Sequence, residues 1–146
     1  MKMSINGKES LIESYEVIED GFHPFLIREE WQVAQLNYIE DQNIEKINKL
    51  DVHYETDEVF RLLVGKAVLI AATFKDGIPT FELELMKQNI TYNIPKNMWH
   101  NIAMDVGSKV LLVEKSNTHL SDYGHYNLDE EQKSELKYKV EQLFKN

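Results

Sequence analysis

The chain has 146 residues, 42% of them hydrophobic and 28% charged, a length and balance that suit one soluble globular domain and not a disordered tail. Its formal net charge of -9, from 16 basic and 25 acidic residues, sets it against nucleic-acid backbones and anionic membrane surfaces, and no local basic patch reverses that sign. With no cysteine, disulfides and thiolate metal sites are excluded, so any metal must be held by His, Asp, Glu or carbonyl oxygens.

The opening residues carry no apolar core of signal-peptide length, and no later apolar run approaches the ~20 residues of a membrane span. A cytoplasmic location is therefore expected. The segment ESLIESYEVIED reads equally as helix or strand, whereas WQVAQLNYI (31 to 39), rich in aromatic and β-branched residues, predicts a strand. Next, VFRLLV and AVLIAATF flank Gly65 and Lys66 at the spacing of a tight turn between antiparallel strands. Asp76-Gly77 is the strongest hairpin signal in the chain. TFELEL and ITYNI alternate apolar with polar residues and so predict half-buried strands. Pro95 stops the second of these, a turn follows, and strands are predicted from Trp99 to Met104 and again over KVLLVEK, the last of the set. At least six strands with no helical period between them predict an antiparallel sandwich or barrel. Residues 129 to 145 then place Leu136, Val140, Leu143 and Phe144 on one stripe behind an acidic start, the pattern of an amphipathic helix.

VFRLLV and AVLIAA are apolar on both faces, and a strand dry on both sides needs cover inside and out. The N-terminal segment, the C-terminal helix or a second subunit can supply it. A homodimer is the expectation.

Side-chain alternation puts Asp51 and His53 on one face, and Glu58 begins a strand in which Phe60, Leu62 and Val64 share its parity. His100 opens another strand just after a proline turn. If these strand starts are neighbours in a closed barrel, His53, Glu58 and His100 converge, and two imidazoles with one carboxylate hold a divalent first-row metal while leaving positions open. Manganese, iron, zinc and nickel are all candidates.

These residues resemble the cupin superfamily, whose motifs run G(x)5HxH(x)3,4E(x)6G and G(x)5PxG(x)2H(x)3N. His53, Glu58 and Gly65 fall at the second histidine, glutamate and closing glycine of the first; Pro95 and His100 match the proline and histidine of the second. The resemblance spans about residues 31 to 115 and extends to small single-domain bacterial cupins of generally unassigned role. It implies an all-β, double-stranded β-helix (a jelly-roll barrel) within a single domain of residues 1 to 146, often dimeric, with a pocket inside the barrel. It implies no particular reaction.

Three positions depart from the motifs. Asp51 stands where a histidine is expected, Asn97 replaces a glycine and Met104 replaces an asparagine. Asn97 tolerates the left-handed backbone such a turn needs. Asp51 can ligate through oxygen, accept a hydrogen bond that fixes an imidazole tautomer, serve as acid or base, or merely solvate a strand end.

Phe60, Leu62, Ile102 and Met104 share parity with the proposed ligands and predict an apolar barrel interior, in which no further acid or base of matching parity is found. Trp99, Tyr54 and Arg61 have the opposite parity and belong outside. His119 and His125 form, with Asp122, either a lid over the barrel mouth or a solvated loop. Three functions follow: a metal-dependent enzyme acting on a small molecule by isomerase- or dioxygenase-type chemistry, a non-catalytic small-ligand binding or sensing barrel, and a dimeric interaction module with a vestigial pocket.

Overall fold

The computed structural model describes residues 11 to 146. Ten strands form two five-stranded antiparallel sheets. One contains, in spatial order, β1 (Gly21–Ile27), β2 (Gln32–Asn37), β9 (Lys109–Glu114), β4 (Glu58–Val64) and β7 (Thr91–Ile94). The other contains β10 (Gly124–Asn127), β3 (Lys49–Val52), β8 (Trp99–Met104), β5 (Ala67–Lys75) and β6 (Ile78–Leu85). A four-residue helix, α1 (Thr118–Ser121), precedes β10, and α2 (Glu130–Phe144) closes the chain. This is a cupin-type jelly roll with a C-terminal helix.

Between the sheets lies one apolar cluster that includes Leu36, Phe60, Leu62, Leu69, Ile102, Met104, Val110 and Leu112. A second cluster lies on the outside of the β10-β3-β8-β5-β6 sheet, where Val68, Ile70 and Ala72 of β5 meet Leu136 and Val140 of α2. Alternation along β5 thus feeds two cores, which explains why AVLIAA is apolar throughout. The helix starts at Asp129, whose carboxylate accepts from the Gln132 amide while Gln132 reaches back to the Asp129 amide. The cover that β5 requires therefore comes from within the chain. On the outer face of the other sheet, Val33, Val59, Leu111 and Val113 are half-buried, and among the described residues no helix makes extensive contact with their strands.

Three expectations change. Gly65 and Lys66 do not close a hairpin: β4 and β5 belong to different sheets, and the turn carries the chain from one to the other. Gly65 has φ of +87°, and a Cβ there would fall 2.8 Å from the Ser108 Cα, so both the conformation and the close approach require glycine. Ser108 locks the turn, accepting from the Lys66 amide and donating to the Lys66 carbonyl. KVLLVEK is not the last strand, because GHYN forms β10 against β3. Within ESLIESYEVIED, residues 11 to 20 adopt neither helix nor strand, and residues 9 and 10 lie outside the described residues. Asp76-Gly77 does turn the β5–β6 hairpin, with both residues at positive φ.

Candidate metal centre in the barrel

Two turns bring the motif residues together. Pro95 accepts from the Met98 amide in the β7–β8 turn, Asn97 has φ of +68°, and the Asn97 amide donates to the His53 carbonyl at 2.7 Å. That bond ties the end of β3 to the start of β8. Asp51 and His100 are cross-strand partners, and Glu58 enters from the opposite sheet as the first residue of β4.

His53, Glu58 and His100 converge, with one donor atom from each lying within 4.8 Å of the others. His53 Nε2 is 2.8 Å from Glu58 Oε2, and His100 Nε2 is 4.0 Å from Glu58 Oε1. Bonds of about 2.0–2.2 Å to one ion would set ligand atoms roughly 3 to 4.4 Å apart, a spacing that small side-chain rotations reach.

The ring orientations fit a metal site closely. His53 Nδ1 donates to the Asp122 carbonyl at 2.7 Å, and His100 Nδ1 donates to the Met98 carbonyl at 2.9 Å. A carbonyl only accepts, so each Nδ1 carries hydrogen and each Nε2 is the ring nitrogen turned toward Glu58, the one that would ligate. This is the outer-shell arrangement that orients metal-binding histidines.

Burial alone would lower the pKa of His53, but the hydrogen bond to Glu58, the Glu58 charge and the Asp122 carbonyl outweigh it and raise the value to about 9. Glu58 is nearly fully buried; burial works against its charge, yet hydrogen bonds from His53 and Glu114 and the imidazole charges hold it below the usual carboxylate range. The stability that the raised His53 pKa contributes to the metal-free fold is complete below about pH 6.5, so long as Glu58 stays ionised, and is lost as pH rises through about 9; in acid, protonation of Glu58 ends the pairing. A metal must displace the His53 proton. Apparent metal affinity is expected to rise about tenfold per pH unit up to about pH 9 and to level off above it, with one proton released per ion bound. Calorimetry in buffers of differing ionisation enthalpy measures this.

Glu114 is the residue that sequence reading missed. It lies at the end of β9, 6% exposed, with its carboxyl hydrogen-bonded to Glu58 and 2.9 Å from Gln32 Nε2. Burial first, then the hydrogen bond and charge of Glu58, raise its pKa to about 9. It shares parity with Val110 and Leu112, which face the barrel interior, so alternation along KVLLVE pointed to it. The expectation of no further acid or base inside is corrected accordingly.

The centre opens into a cavity of about 320 Å³ whose lining mixes apolar residues with Gln42, Asp51, Asn101, Glu114, His119, Tyr123 and His125. Phe60 and Ile102 line it, whereas Leu62 and Met104 lie outside its lining, in the apolar cluster between the sheets. Asp51 stands apart from the three-residue cluster, with Oδ1 accepting from His125 Nδ1 at 2.6 Å. The 117–125 stretch is built structure, not a solvated loop: the buried Asp122 carboxylate accepts from the Tyr54 and Glu55 amides while its carbonyl holds His53. Trp99 packs outside against Phe74 and Tyr126, Tyr54 is exposed, and Arg61 donates to Thr91 on the outer face.

Fold and geometry together define a small cupin-type barrel with a candidate His-Glu-His centre. No protein-family model matches the sequence, and no curated protein does. Among solved structures, a variant of Streptomyces PAC13 with uridine superposes with a TM-score of 0.56, at 10% identity over 82% of this chain and 88% of that one. A Bacillus halodurans protein gives 0.52, at 15% identity over 75% and 79%. A cupin-2 domain protein of Shewanella frigidimarina gives 0.47, at 16% identity over 68% and 84%. At these identities the likeness is one of fold.

No helix among the described residues is long and apolar enough to cross a membrane.

Proposed function

We propose that the chain binds one divalent first-row metal ion through His53, Glu58 and His100, and acts there on a small oxygen-bearing molecule by isomerase-type proton transfer. The observation that carries this reading is the pair of carbonyl-anchored imidazoles, both presenting Nε2 toward one buried carboxylate. A metal in such a site supplies Lewis acidity to a carbonyl or enediol oxygen. The chain's own residues do the rest. Glu114, held by Gln32, orients Glu58; Phe22, Phe60, Ile102 and Leu112 give the cavity apolar walls; the Asp51–His125 pair in its lining can take up or return a proton.

The Streptomyces neighbour was solved with uridine, a ligand rich in hydroxyl and carbonyl oxygens. A non-catalytic binding barrel is the second reading, favoured by the engagement of Asp51 with His125 and with Lys49, 3.9 Å away. The two part on turnover. In heavy water, the metal-loaded protein is expected to exchange the α-hydrogens of small hydroxy-ketones, followed by proton NMR, and His100→Ala to lose that exchange; ligand binding without exchange across such a series would favour the binder. A homodimer, if formed, has the outer face bearing Val33, Val59, Leu111 and Val113 available to it.

A further inference from the structure

The cavity wall contains a chain of hydrogen bonds whose directions are all determined by one backbone group. The Asn117 amide, which can only donate, gives its hydrogen to Gln32 Oε1 at 2.9 Å. Gln32 is fully buried, so its carboxamide is held in that orientation and Nε2 points the other way. Its two hydrogens go to Glu114 Oε1 at 2.9 Å and to His119 Nδ1 at 3.2 Å. Because a carboxamide nitrogen donates, His119 Nδ1 must accept, and the ring hydrogen of neutral His119 sits on Nε2. That nitrogen has no hydrogen-bond partner among the described residues, while the ring lines the cavity and packs against Phe22 at 5.5 Å.

At His125, elsewhere in the same lining, the hydrogen-bond direction is reversed. His125 Nδ1 gives its hydrogen to Asp51 Oδ1, so in the Nδ1–H tautomer Nε2 is the acceptor, with Tyr123 packed beside the ring at 5.0 Å. Burial lowers the pKa of His119, in keeping with a neutral ring.

We infer that His119 and His125 form a specificity-determining donor–acceptor pair, and that the ligand of this barrel is a neutral hydroxylated carbonyl compound, its carbonyl oxygen accepting from His119 Nε2 and a hydroxyl donating to His125 Nε2. The carboxylates of Glu58 and Asp51 around the same cavity disfavour an anion. The inference rests on the proposed reading of the cavity as a small-molecule site beside a metal.

The test uses tag-free protein loaded with zinc and labelled with nitrogen-15 in its histidine rings. Long-range ring correlations at neutral pH are expected to show His119 as the Nε2–H tautomer, a preference that Gln32→Leu abolishes. Titration with hydroxyacetone is expected to move the His119 and His125 signals, and His119→Phe to weaken its binding about fivefold to tenfold, the value of one hydrogen bond, with zinc content unchanged. An Nδ1–H tautomer in the unaltered protein, unchanged affinity in His119→Phe, or no hydroxyacetone binding by zinc-loaded protein would overturn the inference. Failure to load zinc at all would instead remove the metal reading, and the tautomer measurement, made without metal, would still decide whether His119 is a fixed donor.

Discussion

Replacing Glu114 by alanine is expected to weaken binding of a divalent ion about 10- to 100-fold, the usual cost of losing an outer-shell partner, whereas Glu114→Gln keeps affinity within about threefold. The effect of Glu114 runs through Glu58, to which it is hydrogen-bonded, and through Gln32. Alanine leaves Glu58 free to turn and leaves a buried Gln32 hydrogen without an acceptor, each unfavourable in a dry site. Glutamine reproduces both contacts, accepting from Gln32 through oxygen and donating to Glu58 through nitrogen. Zinc titration calorimetry of the two variants separates the roles. Equal, large losses in both would mean that the carboxyl group itself, not its hydrogen bonding, is what the centre needs, and no loss in the alanine variant would dismiss Glu114 as a supporting residue.

The second large effect lies far from the centre. Leu136→Ala is expected to cost about 2–5 kcal/mol of folding stability, because Leu136 is 1% exposed and packs into the cluster with Val68, Ile70 and Phe81. Few neighbours can collapse into the gap, since they belong to a sheet already fixed by its ladders. Metal stoichiometry should be unchanged under native conditions, as no residue of that cluster reaches the centre. Urea unfolding followed by circular dichroism provides the number. A loss below about 1 kcal/mol would mean that α2 is not the cover β5 depends on, and would return the question of a second subunit to that face.

Where the physics is local, the sequence was readable. Trp99–Met104 could be delimited because a proline turn precedes it and Asp105 to Gly107 follows; the Asp76-Gly77 hairpin and the acidic start and apolar stripe of α2 are equally local. Parity placed Phe60 and Ile102 inside and Trp99 and Arg61 outside. Asn97 adopts the left-handed backbone that its place in the motif requires. What could not be read depends on distant partners. Whether Gly65–Lys66 returns within one sheet or crosses to the other is decided by Ser108, more than 40 residues away. β1 contains Pro24 and β10 is four residues with two polar members; both are edge strands that exist through pairing with β2 and β3. Asp122 looked like loop chemistry because its two functions, holding His53 and capping the amides at Tyr54 and Glu55, involve residues far upstream.

The account depends most on His53, Glu58 and His100 sharing one ion. Elemental analysis by mass spectrometry of protein purified without a metal-binding tag, after equilibration with a mixture of manganese, iron, zinc and nickel and removal of excess, tests this directly. The expected result is about one ion per chain in the native sequence and loss of it in both His53→Ala and His100→Ala. Full retention in both folded variants, or no stoichiometric ion in the native protein, would contradict it.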